Sequence, residues 1–190
     1  NVEEKLSEFM QNSTNPTVAP YAKTDEVTLR ITAKCKNEEE AERLIAPAEE
    51  KIRSVLGDAV YGVNDDTIFA AVCRLLKEKN MKIAFAESCT GGLLAEKLTG
   101  VPGASEVLEQ SFVTYSGAAK HDLLGVNEVA LSEFGAVSEP VAYEMAEGVR
   151  ARSGADVGVS VTGVAGPDSD EMGNPVGLVY IGIAGKNGTV

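Results

Sequence analysis

Tryptophan is absent from this 190-residue sequence, and aromatic residues make up only 5% of it. Glycine is plentiful instead, with 19 residues, and 44% of the chain is hydrophobic. This profile fits a compact α/β protein with many tight turns. No apolar run approaches the length of a membrane span and no signal peptide pattern opens the chain, so we expect no membrane partner.

Basic residues and cysteines are also few. The 17 lysines and arginines stand against 29 acidic residues, which gives a formal net charge of −12. This charge repels a phosphate backbone, so we expect a small-molecule substrate and no nucleic acid. Cys35, Cys73 and Cys89 are odd in number and lack metal-ligand spacing, which favours reduced thiols in the cytoplasm and no metal site. Since Asn1 is not an initiator methionine, we expect the chain to begin inside a longer protein.

Residues 1–63 are predicted to form a small α+β domain. The expected elements are a helix over 2–12, an irregular connector over 15–21, a strand over 27–33, a helix over 38–55 and a strand over 59–61. Asn37 is expected to cap the second helix, and Pro47 to bend or break it.

This small domain resembles a KH fold, which raises a nucleic-acid-binding hypothesis. A KH domain clamps the nucleic-acid backbone with a Gly-x-x-Gly loop and basic neighbours. The only close glycines here, Gly57 and Gly62, are five positions apart, and the preceding helix is acidic. We therefore expect a linker or packing domain that does not bind nucleic acid.

Residues 64–190 are predicted to form a layered α/β domain with a mixed sheet. Asp65 or Asp66 is expected to cap a helix whose apolar face carries Ile68, Val72, Leu75 and Leu76. Strands are expected over 83–86, 107–116, 155–162 and 177–184, with helices alternating between the first three of them. Met145 and Val149 are expected on the apolar side of one of these helices.

The turn over residues 87–92 joins a buried strand to a helix. Unpaired N–H groups at a helix start predict a site for an anion or a developing oxyanion, which Gly91 and Gly92 let approach closely. Ser88 lies where a nucleophile would lie. The alternative is that a serine or threonine of this turn only caps the helix.

Three polar, glycine-containing loops, 87–92, 114–121 and 162–168, follow consecutive predicted strands. Strands that end at one edge of a sheet bring their loops together, and ligands usually bind there. A base must take the Ser88 proton, and both Lys120 and His121 are candidates, with Tyr115 relaying a proton or holding the lysine. Thr162 and Gly163 are candidate donors to substrate or oxyanion. The residues alone leave the choice of base open.

Five separated motifs resemble the competence/damage-inducible protein CinA family over essentially the whole chain. They are Ala-Glu-Ser-Cys-Thr-Gly-Gly (86–92), Phe-Val-Thr-Tyr-Ser (112–116) with Lys120, Gly-Ala-Val-Ser-Glu-Pro (135–140), Thr-Gly-Val-Ala-Gly-Pro (162–167) and Pro-Val-Gly (175–177). Residues 14–21 and the helix ending at Gly57 resemble the family's middle, KH-like domain.

The resemblance implies a nicotinamide mononucleotide deamidase, which hydrolyses the carboxamide to nicotinic acid mononucleotide and ammonia without metal or other cofactor. It makes Ser88 the nucleophile, Lys120 the general base and Tyr115 the partner of Lys120. It also places Thr162 near the reacting amide, with Gly163 beside it, and Thr90, Gly91 and Gly92 along the substrate. A homo-oligomer, a dimer, is expected.

Two departures from the family pattern give an alternative function. Gly117 and Ala118 replace a polar Asn-Glu pair, which predicts a more flexible loop before Lys120. The final family segment would lie beyond Val190. The family's N-terminal domain, which is linked with ADP-ribose pyrophosphatase activity, is not among these residues, so that activity is not expected here. The alternative is therefore a non-catalytic nucleotide-binding or assembly module.

Overall fold

The computed structural model of the chain describes residues 2–23 and 26–190. Its contacts divide the chain into two compact units, Asn1–Val63 and Asn64–Val190. Among the described residues, no helix combines the length and the hydrophobicity that crossing a bilayer requires.

The first unit pairs two helices with two antiparallel strands. Its elements are α1 (Val2–Asn12), β1 (Thr17–Ala22), β2 (Val27–Thr32) and α2 (Glu38–Leu56), followed by a 3₁₀ turn over Gly57–Ala59. Asn37 caps α2 by accepting the Glu40 N–H, as its sequence position predicts. The apolar faces of these elements meet around four buried residues, Leu6, Val18, Ala48 and Ile52.

Two predictions for this unit are wrong, and one of two alternatives in a third does not occur. The expected connector over residues 15–21 is largely strand β1, in which Pro20 lies opposite Leu29. A two-stranded sheet has only edge strands, where the missing proline N–H is tolerated. Residues 59–61 form no strand. Helix α2 continues past Pro47 to Leu56, so Pro47 does not break it.

The second unit is a five-stranded mixed sheet between helices. Its elements are α3 (Ile68–Glu78), β3 (Ile83–Glu87), α4 (Leu93–Thr99), β4 (Leu108–Val113), α5 (Gly117–Leu124), α6 (Glu128–Phe134), α7 (Glu139–Ser153), β5 (Val157–Gly163), β6 (Val179–Gly185) and β7 (Gly188–Thr189). The strand order is β4-β3-β5-β6-β7. β3 runs parallel to both β4 and β5, whereas β6 and β7 are antiparallel additions.

Each face of this sheet buries its own hydrophobic cluster. Ala84 and Ala86 of β3 face α7, where Met145 and Val149 are fully buried as predicted. Ile83 and Phe85 point the other way, toward α3 and α4. The alternation follows from the period of two in a strand. The strand is buried on both sides, so the unit has three layers.

The start and the buried side of α3 differ from the prediction. Thr67, rather than Asp65 or Asp66, caps the helix by accepting the Ala70 N–H at 3.1 Å. Leu76 is buried and Val72 packs against the same cluster, as predicted, whereas Ile68 and Leu75 are about half exposed. Ala71 and Cys73 are buried in addition.

A candidate active site at one edge of the sheet

Three hydroxyl residues lie side by side where β4, β3 and β5 end. In the sheet register Glu87 lies opposite Val113 on one side and Val161 on the other, so the next residues in register are Thr114, Ser88 and Thr162. The ladder continues past the strand ends, since Ser88 N–H donates to the Val161 carbonyl and Thr114 N–H to the Glu87 carbonyl. We call Thr114, Ser88 and Thr162 the hydroxyl row. The parallel strands therefore bring the three polar loops to one edge.

Lys120 reaches the middle of the hydroxyl row from helix α5. Ser116 caps this helix by accepting the Ala119 N–H at 3.1 Å. The Lys120 side chain is fully buried, and its Nζ lies 2.9 Å from Ser88 Oγ. It also lies 2.8 Å from the Thr114 carbonyl oxygen and 3.4 Å from that of Tyr115. The lysine and the serine thus form a directly bonded pair.

The surroundings of Lys120 favour its neutral form. Burial lowers the pKa of the Lys120 amino group to about 8, and nearby Cys89 opposes this effect. A neutral amine offers two N–H donors and one lone pair. Two carbonyls and one hydroxyl surround the nitrogen, so the lone pair can accept the Ser88 proton while both N–H groups stay bonded. This is the arrangement that a general base for a serine requires.

The start of α4 does not offer the anion site that its sequence predicts. The Glu87 carboxylate accepts the N–H groups of Gly92 at 3.1 Å and of Leu94 and Ala95 at 3.0 Å. Gly91 N–H donates to the Ser88 carbonyl instead. The protein's own carboxylate therefore occupies these donors, and the N–H groups of Gly91 and Gly92 are not the ones that an oxyanion would meet.

Two backbone donors immediately after Ser88 stay available. Within residues 2–23 and 26–190, the N–H groups of Cys89 and Thr90 donate to no protein acceptor. The hydroxyls of Thr90 and Thr114 are buried and have no hydrogen-bond partner among the described residues either. Donors and hydroxyls of this kind next to a serine can bind a substrate carbonyl and its amide group.

The other predicted site residues make different contacts around the Lys120–Ser88 pair. The Thr162 hydroxyl donates to the Ala136 carbonyl at 2.8 Å. Gly163 lies close to the turn, because a Cβ there would be 3.1 Å from Cys89 Sγ. Tyr115 is 70% exposed, and its bond to Lys120 is made by its carbonyl and not by its hydroxyl.

Among the described residues, His121 and those just before Lys120 lie on helix α5 and make no hydrogen bond to Ser88. His121 Nδ1 lies 2.8 Å from the Val126 carbonyl oxygen, so the structure brings Lys120 rather than His121 to Ser88. Gly117 and Ala118 form the first turn of α5, which corrects the expectation of a flexible loop.

Sequence reasoning missed the roles of Glu87 and Thr114. The available signal was the polar residues at or just after the three strand ends: Glu87 at the end of β3, Thr114 after β4 and Thr162 near the end of β5.

The fold and site together define an α/β domain with a serine–lysine pair at the carboxyl edge of a mixed sheet. Residues 65–190 match the family described as CinA C-terminal domain, and residues 1–62 match the damage-inducible protein CinA KH domain. The chain belongs to the CinA family.

Relatives agree with this assignment. The chain is 52% identical over 185 residues to a Clostridium tetani protein whose name describes it as competence-damage inducible; the match covers 96% of this chain and 45% of that protein. It is also similar to the crystal structure of competence/damage inducible protein CihA from Agrobacterium tumefaciens, with 41% identity and a TM-score of 0.62 over 64% of this chain and 74% of the other. An Escherichia coli CinA superfamily structure gives 36% identity and a TM-score of 0.63 over 69% and 78%. The chain spans less than half the length of the curated relatives it matches.

Proposed function

We propose that this chain hydrolyses the carboxamide of nicotinamide mononucleotide to nicotinic acid mononucleotide and ammonia. The observation that carries the proposal is the 2.9 Å contact between buried Lys120 Nζ and Ser88 Oγ. The contact supplies a nucleophile with its base, and the family resemblance supplies the substrate. No metal or other cofactor is needed for this chemistry.

The first half of the reaction forms an acyl enzyme. Lys120 takes the Ser88 proton as Oγ attacks the carboxamide carbon, and negative charge develops on the carbonyl oxygen. The N–H groups of Cys89 and Thr90 are the donors available to that oxygen. Lys120 then gives the proton to the amide nitrogen, the carbon–nitrogen bond breaks and ammonia leaves.

In the second half Lys120 acts again as base and then as acid, with water as the nucleophile. Lys120, neutral again, takes a proton from a water molecule that attacks the ester carbon. Collapse of the second tetrahedral intermediate breaks the bond to Ser88 Oγ, which recovers the proton from Lys120, and nicotinic acid mononucleotide leaves. The carbonyl groups of Thr114 and Tyr115 hold the lysine in place through both steps.

The remaining predicted residues line the substrate in this proposal. Thr90, Gly91 and Gly92 follow Ser88 on the turn, and Thr162 and Gly163 end the neighbouring strand β5. Tyr115 contributes its carbonyl to the lysine, and its exposed ring is available to the nucleotide.

Ammonia release from nicotinamide mononucleotide tests the proposal. We expect turnover by the wild-type chain, none by Ser88→Ala, and unchanged turnover by Ser132→Ala, which alters an exposed serine of α6. Calorimetric titration of the Ser88→Ala protein with the nucleotide should still show binding. Binding without turnover in the wild type would favour the non-catalytic nucleotide-binding module instead.

A further inference from the structure

The side chain of Glu87 lies fully buried directly before the proposed nucleophile. None of its surface is exposed, although it carries a carboxylate. Its oxygens accept the N–H groups of Gly92, Leu94 and Ala95, and Ser111 Oγ approaches at 3.5 Å. A buried charge needs such donors, and here the backbone at the start of α4 supplies them.

Helix α4 has no cap of its own. Gly92 occupies the N-cap position with φ at 106° and has no side chain that could accept an N–H group. Glu87 performs this function from five residues earlier, on the opposite side of the turn. The negative charge also lies favourably at the positive end of the helix dipole.

Hydrogen bonds therefore hold both ends of the turn that carries Ser88. The Ser88 N–H is held by the Val161 carbonyl in the sheet, and the Gly91 N–H closes the turn on the Ser88 carbonyl. The Glu87 carboxylate then ties the strand end to the helix start. The backbone of Ser88 can move away from Lys120 only if one of these connections breaks.

We infer that Glu87 is a positioning residue: its buried carboxylate closes the start of α4 and so holds Ser88 Oγ within reach of Lys120 Nζ. The inference rests on the proposed function for the reaction that Ser88 performs. Both Glu87 carboxylate oxygens already accept backbone N–H groups at the start of α4, so the carboxylate acts on the turn and not on the substrate. Its loss should therefore change the turnover number and leave substrate binding nearly unchanged.

The first test is Glu87→Gln in the full chain. Glutamine keeps the shape and one acceptor oxygen but turns an NH₂ group toward the backbone donors. We expect kcat to fall by roughly ten- to a hundredfold, since small misplacements of reacting groups have effects of this size, while KM changes less than about twofold. Ser111→Ala, which removes only the 3.5 Å approach, is the matched control and should keep kcat within about twofold.

A second readout does not depend on nicotinamide mononucleotide. A fluorophosphonate probe forms a bond from phosphorus to Ser88 Oγ and releases fluoride, and mass spectrometry gives the labelling rate. We expect Glu87→Gln to slow this labelling by about the same factor as kcat. A wild-type chain that labels at Ser88 without releasing ammonia would remove the proposed function and leave this inference standing.

Glu87→Ala with added formate covers the case in which glutamine is poorly tolerated. Formate can take the place of the missing carboxylate, so we expect the labelling rate to rise with formate and not with chloride at equal ionic strength. Equal kcat and labelling in wild type and Glu87→Gln would overturn the inference. So would a raised KM with kcat unchanged, or the failure of both variants to fold, which would make Glu87 purely structural.

Discussion

The amino nitrogen of Lys120 lies 2.9 Å from the hydroxyl oxygen of Ser88, although 32 positions separate the two residues in the chain. The parallel pairing of β3 and β4 explains the approach. Ser88 follows β3 directly, and α5 begins four residues after β4 ends, so Lys120 turns back over the strand ends. A serine and its base are thus supplied by neighbouring strand–loop–helix units.

Lys120 and His121 should behave differently when replaced. Lys120→Met removes the base, and we expect turnover of nicotinamide mononucleotide to fall by roughly a hundredfold or more. His121→Gln should change turnover little, because the His121 ring contacts the Val126 carbonyl rather than Ser88. Steady-state ammonia release measures both. Loss of activity in His121→Gln with activity kept in Lys120→Met would require a histidine-based mechanism.

The pH dependence of activity should follow the Lys120 amine. Its pKa of about 8 lies below the ordinary value of 10.5 because the side chain is buried. The base acts when neutral, so kcat/KM should rise with pH between about 7 and 9 and level off above. At pH 7 about a tenth of the lysine is neutral. Lys120→Arg, which stays protonated, should be inactive throughout; a wild-type profile that is flat or falls over this range would contradict the assignment.

Gly148 marks a close contact between α7 and the end of α5. A Cβ at this position would lie 2.2 Å from the Leu124 carbonyl oxygen, and backbone cannot move aside cheaply. We expect Gly148→Ala to lower the free energy of unfolding by about 1–3 kcal/mol despite the better helix propensity of alanine. Urea denaturation measures the change. Gly185→Ala, where nothing lies within 4 Å of the added Cβ, is the control and should change stability by less than about 0.5 kcal/mol.

The full chain should not bind single-stranded nucleic acid tightly. Gly57 lies in the 3₁₀ turn after α2, and α2 itself starts with the acidic residues Glu38, Glu39 and Glu40. With a net charge of −12, few phosphate contacts are available. A gel-shift assay with single-stranded RNA, run beside a basic single-strand-binding protein, checks this expectation. Tight binding that weakens steeply with salt would refute it.

The sequence predicts the second unit better than the first for a physical reason. The core strand β3 and the helix α7 combine a clear hydrophobic period with glycine or capping signals, and both form as expected. β1 carries Pro16 just before it and Pro20 within it, which locally indicate a connector. Its strand form depends on pairing with β2, a tertiary interaction that no local pattern contains.

The candidate site likewise contains residues that the local sequence indicates and residues that only the tertiary structure identifies. Ser88 is indicated locally, because it begins the turn after a buried strand. Lys120 and His121 are neighbours, and a helix separates adjacent side chains by about 100°, so only the placement of α5 decides which one faces Ser88. The contacts of Glu87 are hidden for a related reason: its partners are backbone N–H groups five to eight residues later, and any residue types could supply them.

Burial of Lys120 supports activity but lowers the stability of the folded protein. The group is charged in the unfolded chain up to about pH 10.5 but loses its proton near pH 8 when folded, so the folded state gains stability as pH rises between these values. At neutral pH the difference corresponds to about 3 kcal/mol of lost stability. A directed-evolution screen that selects only for heat resistance should therefore enrich apolar replacements such as Lys120→Met. Sequencing the selected variants would show proteins that are more stable and have lost the general base.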